Sequence, residues 1–177
     1  MKVCIGADHR GVELKEKIKD LLKQEGIDFE DFGTHAEKSV DYPDFGLSVA
    51  QAVAKGEYDR GILICNTGIG MSITANKVKG VYAALCLNKE MAEFSRKHND
   101  ANVLTLGAAY VEPTEVIDIV KTWLNTKFEG GRHTKRVNKV KGIENNLVEK
   151  EEAHKWEKEA RKWQKEARHW QSRAWRR

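Results

Sequence analysis

The chain has 177 residues, with 31 Lys and Arg against 27 Asp and Glu, enough for one well-buried core with an appendage. With 14 Gly and only 2 Pro, the composition excludes a collagen-like or low-complexity chain, and no apolar run approaches the roughly 18 residues of a membrane span. The net charge of +4 is unevenly placed. Residues 147–177 hold ten Lys/Arg and six Asp/Glu, while residues 1–146 hold 21 of each, so the main body lacks the basic face of a nucleic-acid binder.

Val3–Ala7 reads as a buried strand, and Val12–Glu25 as a helix with Leu14, Ile18, Leu21 and Leu22 on one face. Gly26 ends that helix and Ile27–Phe32 follows as a second strand. Asp41-Tyr42-Pro43 opens a helix through Lys55, with Pro43 suited to its first turn. Gly61–Cys65 is a third strand, apolar enough to be buried on both faces. Helices are expected at Ile69–Lys77, Lys89–His98 and Thr114–Leu124, and strands at Val81–Leu85 and Ala101–Leu106. This alternation predicts an α/β fold: a doubly wound, Rossmann-like, parallel five-stranded sheet with helices on both faces. A long C-terminal helix completes the expectation.

Three scattered cysteines suit reduced thiols in the cytoplasm, and Met1–Gly6 enters a strand without signal-peptide anatomy. There is no CxxC and no HxxxH, which argues against a structural zinc site; no metal or cofactor is expected.

In a doubly wound sheet, ligands bind beyond the carboxyl ends of the strands. The first strand runs into Asp8-His9-Arg10-Gly11, and the third into Cys65-Asn66-Thr67-Gly68-Ile69-Gly70-Met71-Ser72. The helix before strand five ends in Lys97-His98-Asn99, and a separate loop carries Glu129-Gly130-Gly131-Arg132-His133 and then Arg136. The expectation is that most of this polar chemistry gathers at the carboxyl edge. Two glycines in a strand-to-helix turn let backbone amides face an anion, either a phosphate or a reaction oxyanion. Cys65 beside them would have its thiolate favoured and could act as base or nucleophile. The bland alternative is a buried strand-end cysteine before a plain tight turn. Cys4 and Cys86 read as small core residues. His9 and His98 each adjoin a polar loop residue that can orient an imidazole; His35, His154 and His169 read as surface. Arg132 and Arg136, four apart, can grip a phosphate together, or simply form a solvated basic face.

Together these segments resemble the type B ribose-5-phosphate isomerase family, which also includes galactose-6-phosphate isomerase subunits. The resemblance runs from Met1 to about Glu144. It rests on Gly6-Ala7-Asp8-His9, Asp31-Phe32-Gly33-Thr34, Asp41-Tyr42-Pro43, Cys65 through Ser72, and Ala75-Asn76-Lys77. His98-Asn99-Asp100-Ala101-Asn102-Val103 and Gly130-Gly131-Arg132-His133 complete the set. His98-Asn99 and the Gly-Gly-Arg-His segment favour the ribose-phosphate branch.

The resemblance implies a cofactor-free aldose–ketose isomerisation through an enediolate, a step of the pentose phosphate pathway. Cys65 would move the proton between C1 and C2, with Thr67 assisting. The amides of the Gly68–Ser72 turn, those of Gly68, Gly70, Met71 and Ser72 alike, would hold the enediolate oxygen. His98 would help open the furanose ring, Asp8 would order hydroxyls nearby, and His9, Arg132 and Arg136 would bind the phosphate. Tyr42, Asn66 and Asn99 join the substrate-binding set. A homo-oligomer, dimer or tetramer, is implied, with sites that draw residues from two subunits.

Three positions depart from the family pattern. Asn66 stands where Gly is expected, Ala109 where an Arg commonly follows strand five, and Tyr82 where Arg is also common. Weakened phosphate binding or an altered substrate preference is therefore expected.

From Leu147 the character changes. Ala153, Ala160, Ala167 and Ala174 recur every seven residues, offset by three from Trp156, Trp163 and Trp170. This is an a/d heptad among strong helix formers. The division expected is a sugar-phosphate isomerase domain over 1–146 and an amphipathic, coiled-coil-like helix over 147–177. That helix reads as an added, even designed, association element packing on itself or on the body; nucleic-acid and membrane binding fit it less well. The alternative function is an isomerase-fold oligomeric scaffold with altered or lost activity.

Overall fold

The computed structural model describes residues 1–36, 38–112 and 114–174. The chain divides into two units, Met1–Lys135 and Arg136–Arg177. The first contains β1 (Lys2–Ala7), α1 (Val12–Gln24), β2 (Asp28–Asp31), α2 (Tyr42–Ala54) and β3 (Arg60–Cys65). It continues through α3 (Ile69–Ala75), β4 (Ala83–Leu85), α4 (Lys89–Asn99), β5 (Val103–Gly107) and α5 (Val116–Asn125). The last helix, α6 (Arg132–Ala174), begins in this unit. Arg132 is therefore the first residue of a helix and not part of a loop, because the two left-handed glycines Gly130 and Gly131 (φ 72° and 54°) complete the turn just before it.

The strands form one parallel sheet in the order β2-β1-β3-β5-β4. Right-handed crossovers dictate which face each helix covers. The chain steps outward from β1 to β2 and again, on the other side, from β3 to β4. From β4 it turns back inward to β5, so α4 falls on the same face as α1. The packing agrees: α1, Ala92 of α4 and α5 share one apolar cluster with Ile5, Ile62 and Leu104. Val49 and Val53 of α2 and Met71 of α3 share the other with Leu63 and Val103. Each fully buried Ile or Leu in these layers contributes about 1.5–3 kcal/mol. That repays ordering a sheet whose three central strands, β1, β3 and β5, are buried on both faces.

One buried charge lies under the β2 end. Lys15 is fully buried, and its Nζ reaches Asp31 Oδ2 at 2.8 Å and the Thr34 carbonyl at 2.8 Å. Burial opposes ionisation of Asp31, but hydrogen bonds from Lys15, Lys19 and the Gly33 N–H outweigh it and hold the carboxyl below its ordinary range. The Asp31-Phe32-Gly33-Thr34 segment is thus a structural brace between α1 and the loop leading to Tyr42.

No helix among the described residues is long and apolar enough to cross a membrane. The expected Trp seam (Trp156, Trp163, Trp170) rests on side chains outside the described residues, as do Trp175, Arg176 and Arg177.

Candidate active site

The chain switches direction between β1 and β3, so their carboxyl ends flank a crevice. Asp8 follows β1 and is tied to β3 by its N–H to the Ile64 carbonyl, 3.2 Å. Its Oδ1 accepts the N–H groups of Arg10 and Gly11 (2.9 and 3.2 Å), which shapes the entry into α1. His9 comes next, and its Nδ1 accepts the Val40 N–H at 3.2 Å. In this geometry the ring's remaining nitrogen, Nε2, is the one that carries a proton outward.

Cys65 ends β3, 5% exposed. Its Sγ accepts the Gly68 N–H at 3.1 Å. Gly68 is left-handed (φ 74°), and a Cβ there would lie 2.5 Å from Leu85 Cδ1 and 2.8 Å from the Leu106 carbonyl carbon. No other residue fits, and this turn is what aims the amide at the sulfur. Thr67 Oγ1 accepts the Ile69 N–H at 3.3 Å, and the Ser72 N–H is spent on the Gly68 carbonyl. The expectation that the whole turn offers amides to an oxyanion is corrected accordingly. Gly68 and Ser72 are engaged, and the first-turn amides of Gly70 and Met71 are the donors that a helix start provides. Met71 itself is a fully buried core side chain. Tyr42 lies directly on Gly70, where a Cβ would meet its ring at 2.6 Å. Asn66 is exposed, and its carbonyl accepts the Ala109 N–H at 3.0 Å. The sequence departures Asn66 and Ala109 are therefore direct neighbours. They line a cleft of about 230 Å³ with Arg10 and Lys17.

Burial pushes the Cys4 thiol up to about 12 and the Cys86 thiol up to about 11, so both stay protonated and inert.

The remaining expected residues are not at this edge. Asn102, just before β5, accepts the Gly61 N–H at the start of β3, whereas Cys65 pairs with Gly107 at the far end. His98 and Asn99 close α4 immediately before this point. Four residues of strand, about 13 Å, separate the two levels. The reason is topological: a helix between parallel strands runs back against them, so its carboxyl end lies at their amino edge.

His98 has company there. Its ring stacks on His133, with centroids 4.1 Å and planes 5° apart, and Phe94 stacks on it at 4.8 Å. Glu129 Oε2 is 4.0 Å from His98 Nε2, and its Oε1 is 3.9 Å from His133 Nε2. Arg132 is exposed, and its Nε donates to His133 Nε2 at 3.2 Å. Arg136 falls in the second unit. His98, Glu129 and His133 are chemically a metal-ligating set. The two rings, however, lie in nearly parallel, stacked planes, so their in-plane lone pairs do not meet at one ion. His133, only 2% exposed, was not assigned a role from sequence; its place directly after Arg132 was the available signal.

A parallel α/β sheet with a cysteine and a glycine-built turn beside its switch point is the arrangement in which enzymes of the doubly wound class bind their ligands. The chain belongs to the Ribose/Galactose Isomerase family, which matches residues 3–140. It is 45% identical over 143 residues to ribose-5-phosphate isomerase B of Escherichia coli, covering 81% of this chain and 96% of that one. A putative sugar phosphate isomerase of Bacillus subtilis is 48% identical over 145 residues, with 81% and 97% covered. Among solved structures, Clostridium thermocellum ribose-5-phosphate isomerase B superposes with a TM-score of 0.81 at 56% identity, covering 83% of this chain and 99% of that one. The Mycoplasma genitalium enzyme with bound ribulose 5-phosphate gives 0.79 at 42% identity, with 81% and 96% covered.

Proposed function

We propose that this isomerase interconverts ribose 5-phosphate and ribulose 5-phosphate through an enediolate, without a cofactor. The observation that carries the reading is Cys65, a strand-end sulfur accepting the Gly68 N–H inside a turn that offers further amides. Cys4 and Cys86 belong to the core, where burial pushes their thiols up. Cys65 takes the proton from C2 of the open-chain aldose and returns it to C1, while the Gly70 and Met71 amides face the enediolate oxygen. Thr67 steadies the turn, Asp8 and Asn66 border the hydroxyls, and Tyr42 walls the crevice over Gly70. His9 donates to the phosphate.

Opening the furanose needs an acid–base group, and the candidate, His98, sits with Asn99 and Arg132 at the opposite edge of its own sheet. The separation of these two half-sites favours a homo-oligomer. In it, the carboxyl edge of one copy meets the His98 edge of another, and Arg132 and Arg136 reach the phosphate from the second copy. Exposed Ile69 and Ile73 on α3, and Met91 and Phe94 on α4, supply apolar surface for such pairing. The domain division proposed is a catalytic body over 1–146 and an associating helix over 147–177; deletion of the latter with a measured solution mass tests it. Conversion of ribose 5-phosphate, abolished in Cys65→Ala, tests the activity. A folded parent chain that fails to convert it refutes the substrate assignment.

A further inference from the structure

The His98 imidazole is clasped on both faces. Phe94, one helical turn earlier on α4, stacks at 4.8 Å with an 18° tilt, and His133 stacks at 4.1 Å with a 5° tilt. Two rings cannot occupy one face at these distances, so His98 lies between them. The clamp is itself anchored. Arg132 Nε–H donates to His133 Nε2, which makes that nitrogen an acceptor and places the His133 proton on Nδ1. The Glu129 N–H donates to the Lys97 carbonyl at 3.0 Å, tying the segment that leads into α6 to the end of α4. Phe94 is 41% exposed, too open for its ring to be counted as core.

We propose that Phe94 and His133 are positioning residues that hold the His98 ring in the plane from which it exchanges a proton with the sugar ring oxygen. This rests on the reading that His98 opens the furanose. An imidazole free to turn about its Cβ–Cγ bond sweeps its Nε2 through an arc; one sandwiched between two rings cannot turn without losing both stacks. Proton transfer demands heavy atoms within hydrogen-bond reach, so a fixed ring plane acts on the ring-opening step alone. Within one chain Phe94 and His133 lie at the opposite edge of the sheet from the Cys65 turn, and Leu at position 94 keeps the apolar surface offered to a second copy, so the proton shuttle at Cys65 is left as it is.

The test separates the two steps. Phe94→Leu keeps apolar bulk and helix propensity but removes the ring. Its turnover of ribose 5-phosphate is expected to fall about ten- to hundredfold, with KM little changed. Exchange of the C1 hydrogen of ribulose 5-phosphate with D2O, followed by NMR, needs no ring opening because that ketose is acyclic, and it is expected to keep the wild-type rate. Phe94→Tyr restores turnover, and His133→Phe, which preserves a stacked ring, retains more of it than His133→Leu. Wild-type turnover by Phe94→Leu overturns the clamp, as does exchange that falls in step with isomerisation. His98→Asn runs alongside. If it isomerises at the wild-type rate, the role of His98 fails and takes the clamp with it. If it is impaired while Phe94→Leu is not, only the clamp fails.

Discussion

The Tyr42 ring rests on Gly70 so closely that a Cβ on the glycine would come within 2.6 Å of it. The contact joins the start of α2 to the first turn of α3, where the amides facing the proposed enediolate begin. Tyr42 is 39% exposed, so it can be pushed aside without disturbing the core. Gly70→Ala is expected to keep its thermal midpoint within a few degrees while kcat/KM falls about tenfold, from displacement of the crevice wall. Steady-state kinetics beside a thermal melt check this, and an unchanged kcat/KM removes Tyr42 from the site.

The opposed placement of Cys65 and His98 leads to a complementation experiment. Cys65→Ala and His98→Asn are each expected to be nearly inactive alone. Dissociated and reassembled together, they form mixed pairs in which one of the two sites has both residues intact. A return of roughly a quarter of the wild-type activity is expected from random mixing of equal amounts in a two-fold symmetric pair. No recovery, with mixed assemblies demonstrated by mass, places both residues in a site within one chain.

Restoring a cation beside Asn66 addresses the sequence departures. Ala109 is exposed at the carboxyl edge, with room in the adjoining cleft. Ala109→Arg adds a charge-assisted contact worth about 1.5–3 kcal/mol, so KM for ribose 5-phosphate is expected to drop about tenfold or more. A KM that does not move shows that the phosphate lies elsewhere.

The Lys15–Asp31 pair makes stability depend on pH in the acid range. The Asp31 carboxyl is held below its ordinary range in the fold. Its contribution is therefore complete above the unfolded value, near pH 4, and is lost as the pH falls through the lower folded value. Asp31→Asn leaves the buried Lys15 ammonium with only the half-exposed Glu16 carboxylate, 3.8 Å away, as counter-charge, at a cost of about 3 kcal/mol near neutrality. Urea unfolding at pH 7 and pH 3 is expected to show the wild type and the variant converging in acid. Parallel curves refute the assignment.

The inert cysteines give a simple chemical check. With thiols pushed up to about 12 and about 11, Cys4 and Cys86 are expected to resist iodoacetamide at pH 8 in the folded protein. Mass mapping reads this directly, and rapid labelling of either shows that the buried environment opens.

Much of this was legible in the chain itself. Apolar runs such as Gly61–Cys65 can only be strands buried on both faces, and the helices between them repeat Leu14, Ile18, Leu21 and Leu22 at helical spacing. Strand–helix alternation with short connections leaves a parallel sheet as the way to bury them all. Cys65-Asn66-Thr67-Gly68 was readable for the same local reason, since the geometry of a strand-to-helix turn is a property of adjacent residues. Tertiary structure alone decided which edge each motif reached. His98 and Cys65 look alike as polar residues beside a strand, but one ends the helix that precedes its strand and the other ends the strand itself. The handedness and back-running path of α4 put them at opposite edges. The stacking of Phe94 and His133 about His98 was likewise hidden, because it joins residues 39 apart through packing that no local pattern encodes.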